Sequence, residues 1–208
     1  KQNNYLFDLN LNANESKTAY VRVESHGSVQ APLNLWASHA YIEEQPSRLY
    51  ILGMIYGVLA VMLVYNLFIY LSVRDTGYLY YILYITCFGL YQVSVNGAGI
   101  EFLWPDNPWW ANTSTTFLIA AAILFASQFA RKFLQTPRLG LWMDGPLLLM
   151  MACSAGIMVL SLATDYGIAL RLVTALVLIF TPIILLIGIV AWLKGRRVAR
   201  YFIFAWSA

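Results

Sequence analysis

An Arg-Asp pair, Arg74–Asp75, interrupts the apolar stretch "YNLFIYLSVRDTGYLYY" (65–81) and is followed by tyrosines at 78, 80, 81 and 84. Adjacent opposite charges ahead of Thr76 and Gly77 suit a tight turn better than acid–base chemistry. Asp75, Thr76 and Gly77 are turn formers, and Asp75 or Thr76 can cap a following helix. Elsewhere the reactive residue types are scattered. His26 and His39 lie 13 residues apart and outside any Cys/His cluster, so a turn or surface role suits them better than metal binding. Cys87 and Cys153 lie inside apolar runs, where cysteine behaves as a small hydrophobe. There is no H-E-x-x-H, no G-x-S-x-G, no glycine-rich phosphate loop and no Cys/His cluster. The sequence therefore names no catalytic, cofactor-binding or metal-ligating residue and implies no cofactor; an enzyme is not expected within this chain.

What remains is a set of polar and aromatic groups in apolar surroundings. Asn66, Gln92, Asn96, Ser127, Gln128 and Thr181 are expected to form hydrogen bonds between helices. Thr181-Pro182 is a candidate kink. Gly53-x-x-x-Gly57 would let another helix approach closely, either within the chain or from a second copy of it. Trp104, Trp109 and Trp110, with Pro105 and Pro108, make a stiff aromatic loop suited to an interfacial anchor or a docking surface. The residues singled out as signalling or structural candidates are Tyr65, Asn66, Arg74, Asp75, Tyr78, Tyr81, Trp104, Trp109, Trp110 and Pro182.

The elements that must hold these groups follow from the solvent. Of 208 residues 60% are hydrophobic and 11% charged, against about 25% charged in soluble domains. Such a chain cannot cover its surface with polar groups in water, so much of it faces lipid. Apolar runs at 49–73, 78–95, 115–130, 146–163 and 168–193 are each long enough, with their flanks, to cross roughly 30 Å of hydrocarbon. The run at 201–208 opens a sixth, and the chain reads as a piece of a longer protein. Residues 1–37 differ: "YLFDLNL", "TAYVRVES" and "VQAPLNLWA" alternate apolar and polar side chains, the pattern of half-buried strands.

Basic residues set the expected orientation. Arg74, then Arg131, Lys132 and Arg138, then Lys194, Arg196, Arg197 and Arg200 follow the odd-numbered helices; Glu101, Asp106 and Asp165 follow the even ones. Residues 1–48 are thereby expected outside the cytoplasm and the basic turns within it. Net charge is +3 with no basic block ahead of the membrane part, which disfavours nucleic acid as a partner.

These residues resemble a known family. Tyr65–Phe68, Arg74–Asp75, Tyr78–Tyr81 and the outer loop Gly97–Pro105 resemble the membrane domain of bacterial seven-transmembrane receptors with diverse intracellular signalling modules. "FARKFLQT" (129–136) and "GRRVARYFIFAW" (195–206) are similar to it as well, and residues 1–42 are similar to the last strands of that family's type-two extracellular domain. The resemblance implies a membrane all-α fold: a seven-helix-type bundle, of which five helices and the start of a sixth are present, preceded by the end of a β-sandwich. It divides the chain into C-terminal sandwich strands (1–38), a connector (39–48) and a transmembrane domain (49–208). It implies an inner-membrane sensor with a periplasmic N-terminal segment and an extracytoplasmic, carbohydrate-like ligand. The output would be a cytoplasmic signalling domain in cis, such as a diguanylate cyclase or histidine kinase. Membrane lipid and a second copy of the chain are the other expected partners. A transporter or channel component, or a membrane scaffold subunit, is the alternative reading of the composition.

Overall fold

The computed structural model describes the backbone of residues 38–207, with side chains from Tyr50 to Trp206, and six positions before residue 38. Most residues of the expected strands fall outside the described residues; Phe7, Thr18 and Tyr20–Arg22, which are described, have no strand assignment. Six α-helices follow: α1 (Ser38–Val73), α2 (Thr76–Val95), α3 (Pro108–Leu134), α4 (Leu141–Ala163), α5 (Tyr166–Leu193) and α6 (Ala199–Ser207). The first five contain apolar spans long enough to cross a membrane. Segment 39–48, expected as a connector, is itself helical and forms the first turns of α1.

Short turns make successive helices antiparallel. The turns at 74–75, 135–140 and 194–198 lie at one end of the bundle, here the basic end. Those at 96–107 and 164–165 lie at the acidic end.

α3 is the axis of the bundle, packing against α2, α4 and α5. Its sequence explains why. Ala120, Ala121, Ala122, Ala126, Ser127 and Ala130 are all buried, so α3 is slender on several faces and its neighbours approach closely. Larger side chains fill in around it: Leu147 and Met150 from α4, Val173, Phe180 and Ile184 from α5, and Phe202 from α6.

α1 is attached differently. It packs chiefly on α2, and its apolar window buries no residue fully. A Cβ added at Gly53 or Gly57 would meet nothing within 4 Å. The Gly53/Gly57 face is therefore not used for packing among the described residues.

Candidate functional site: a polar clamp at the basic end

At the basic end the last turn of α3 meets the first turn of α4. Arg131 Nε donates to Asp144 Oδ1 and Nη2 to Oδ2, both at 2.7 Å, the two-pronged geometry that suits guanidinium to carboxylate. Arg131 Nη1 donates to Gln128 Oε1 at 2.9 Å, and Thr136 Oγ1 donates to Asp144 Oδ1 at 2.7 Å. Asp144 and Thr136 are buried and Arg131 is half-buried. Among the described residues this is the ion pair. It joins two helices and the 3₁₀ turn Thr136–Arg138 between them.

Local sequence dictates the arrangement. Gln135 takes the left-handed conformation (φ 54°), which stops α3, and its N–H donates to the Arg131 carbonyl. Pro137 then stiffens the turn, and Gly140 at φ 111° starts α4. The apolar run had suggested a start for α4 at Pro146. The helix begins five residues earlier, because a proline in the second turn removes only one ladder bond. That extension brings Asp144 onto the helix and against Arg131. The clamp was missed, although a signal existed. An arginine in the last turn of a membrane helix calls for a partner, and Asp144 is the next acidic residue along the chain.

The expected candidates are placed as follows. Asp75 caps α2, its Oδ1 accepting from the Gly77 N–H at 2.8 Å. Arg74 sits beside it at φ 60° and donates from Nε to the Leu71 carbonyl, its own helix end. The two thus serve opposite helix termini. Tyr81 packs at a tilt against Tyr84 (6.2 Å) and Phe129 (5.1 Å), the latter joining α2 to α3, and Tyr78 is half-buried. Tyr65 lies on the open face of α1. Pro182 is accommodated within a continuous α5, where Thr181 Oγ1 donates to the Val177 carbonyl at 3.0 Å.

The expectation of interhelical bonds is corrected for three residues. Asn66 donates to Met62, Ser127 to Ile123 and Thr181 to Val177, each a carbonyl one turn back in the same helix. A polar side chain with no partner across the interface is satisfied this way in hydrocarbon. The link between α1 and α2 comes from Tyr56 instead, which had not been singled out. Its hydroxyl accepts from Asn96 Nδ2 at 3.1 Å and lies 3.4 Å from the Gln92 carbonyl.

At the acidic end, Gly99–Leu103 forms a π-helical turn that the sequence did not suggest. It folds Trp104 back over Gly99, whose added Cβ would fall 2.9 Å from Trp104 Cζ2. Trp104 meets Trp110 edge-on (6.5 Å), Trp110 meets Phe117 (5.7 Å), and Trp109 is exposed. The three tryptophans therefore do not share one role: two close the loop on itself and one faces outward.

Between these ends, Trp206 of α6 packs on Tyr84 of α2 and Phe180 of α5, while Phe202 packs on Phe129 and Phe133 of α3. Separately, α2, α3 and α5 enclose a cavity of about 530 Å³, lined by Tyr91, Thr115, Ile119, Val173, Thr174 and Val177 among others.

Residues 48–208 match the family model described as "7TM diverse intracellular signalling". The chain belongs to this family. Within the matched residues α1 to α5 are long and apolar enough to cross a membrane, and residues 1–37 match the model described as "7TMR-DISM extracellular 2". No curated protein and no solved structure matches the chain. The chain is thus a multi-pass membrane, receptor-like module that joins an extracellular domain to a 7TM domain.

Proposed function

We propose that this 7TM-family chain is a non-catalytic relay. It carries a change in an extracytoplasmic, ligand-sensing domain to a signalling domain on the cytoplasmic side. The observation that carries the reading is α1. Its helix starts at Ser38, directly after the residues matched by the extracellular model, and runs unbroken to Val73. A continuous helix transmits rotation and translation along its axis, whereas a flexible linker would absorb them. α1 is also held mainly by α2, so it can move against a core that the Arg131–Asp144 clamp keeps together.

The basic end then faces the cytoplasm, by the lysine and arginine bias of its turns, and the N-terminal segment faces the periplasm of an inner membrane. The unbroken course of α5 through Pro182 supports a receptor over a transporter, whose sites are commonly built from discontinuous helices.

The test is helical phase. In the full-length protein, one alanine inserted after Ser47 turns everything before it by about 100° relative to the part of α1 that follows, while four alanines restore the phase to within about 40°. Output should change strongly with one residue and recover with four. Output that is indifferent to both insertions, or that follows length and not phase, would remove α1 as the relay.

A further inference from the structure

The geometry points to a binding site for the phosphate headgroup of an anionic phospholipid, built between the turns 135–140 and 194–198 at the basic end. Arg138 Nη1 donates to Gln135 Oε1 at 3.3 Å, and Arg196 Nη1 donates to the same oxygen at 3.0 Å. Two guanidinium groups from different turns therefore converge on one neutral amide oxygen, their donor nitrogens within about 6 Å of each other. Lys194 Nζ reaches the Leu139 carbonyl at 3.4 Å, adding a third cation from the second turn.

No carboxylate balances these three charges among the described residues. Asp144 is engaged by Arg131 and Thr136, and Asp75 caps α2. Like charges this close repel, and an amide oxygen carries no net charge to offset them. A phosphate between the two turns supplies both the charge and the oxygen acceptors that guanidinium forks prefer.

The surroundings specify a lipid. Leu141 and Trp142, which follow the first turn, and Leu193, which precedes the second, are among the most exposed apolar side chains of the bundle. Tryptophan and leucine beside arginine and lysine at a helix end mark the level where acyl chains give way to headgroups. An anionic phospholipid can satisfy the cations and cover these side chains together; free phosphate satisfies only the cations. A bound headgroup would join the α3–α4 turn to the α5–α6 turn. The inference depends on membrane insertion and not on the direction of signalling.

The experiment uses full-length protein in neutral detergent, titrated with dioleoyl phosphatidylglycerol or dioleoyl phosphatidylcholine and followed by native mass spectrometry. The wild type should bind phosphatidylglycerol in preference. A basic residue at an anionic lipid surface is worth about fivefold, so the double variant Arg138→Gln/Arg196→Gln should bind it roughly 30-fold more weakly. Lys132→Gln/Arg200→Gln removes the same charge elsewhere on the same end and should have a much smaller effect. If the first double variant fails to fold, Arg196→Gln alone should give about a fivefold loss, and Arg138→Lys/Arg196→Lys should keep the lipid preference. Equal weakening by the two Gln double variants would reduce the site to a diffuse positive field. Full competition by millimolar inorganic phosphate would overturn the lipid assignment.

Discussion

Arg131 holds Asp144 through two parallel hydrogen bonds of 2.7 Å, across a turn that separates two membrane helices. The carboxylate also accepts from Thr136, so removing it leaves an arginine and a buried hydroxyl without their partner. Asp144→Ala is expected to destabilise the protein by about 3 kcal/mol, the range for breaking a largely desolvated pair. Arg131→Lys keeps the charge but loses the fork, and should cost about half as much. Thermal unfolding in detergent gives the ranking. Equal, near-zero effects would mean that solvent already replaces the pair.

Arg74 and Asp75, although adjacent, are expected to respond in opposite ways. Asp75→Ala removes the cap of α2 and should cost about 1 kcal/mol. Arg74 occupies the left-handed region, which is unfavourable by roughly 1–2 kcal/mol for a residue with a Cβ. Arg74→Gly should therefore be neutral or stabilising. A parallel loss in both variants would show that the two side chains act as a unit after all.

Gly99 is expected to be the most sensitive glycine of the outer loop. An alanine there meets the Trp104 ring at 2.9 Å and the Ser94 Cα at 3.1 Å, and overpacking of this kind costs about 1–3 kcal/mol. Gly156 lies within α4 with nothing near its missing Cβ, so Gly156→Ala should be neutral or stabilising by up to about 1 kcal/mol. Tryptophan fluorescence should shift for the first variant only. Unchanged emission with Gly99→Ala would mean that the ring can move aside.

Two tyrosines of α1 should separate cleanly. Tyr56→Phe removes the hydroxyl that joins Asn96 to α1, a loss of roughly 0.6–1.7 kcal/mol for a hydrogen bond between membrane helices. Tyr65 lies on the open face, and Tyr65→Phe should leave stability unchanged. Disulfide crosslinking between cysteines placed in α1 and α2 would report looser pairing for the first variant alone. The reverse order would contradict the attachment of α1 through Tyr56.

The proposed orientation is tested by accessibility. With Cys87 and Cys153 replaced, a membrane-impermeant thiol reagent should label Asp106→Cys in intact spheroplasts and Arg197→Cys only after lysis. The opposite pattern would invert the chain and place the basic turns outside.

The membrane spans were legible because hydrocarbon imposes one demand on every residue of a span, and that demand sums over twenty or more positions. All five spans appear, and the apolar run that opens at 201 is helical within Ala199–Ser207. The clamp was not legible because it depends on where a helix starts. Pro146 looked like a first residue, and a shift of five residues turned Asp144 from a loop charge into a buried ligand of Arg131. Asn66, Ser127 and Thr181 misled for a related reason. A hydrophobic setting says that a polar group must be satisfied and does not say by which helix. The π-helical turn has no simple pattern of its own, and Trp104 over Gly99 becomes visible only once the backbone has folded back.

The slenderness of α3 bears on which substitutions the protein can tolerate. Arginine, tryptophan and tyrosine usually attract mutational attention, yet the positions with least room here are plain alanines. Ala120, Ala126 and Ala130 are at most 1% exposed, on a helix packed against α2, α4 and α5. An isoleucine at any of them would push a whole neighbouring helix outward, because a packed backbone cannot yield as a side-chain tip can. A saturation survey of this chain would therefore trace the path of α3 as a line of intolerant small residues.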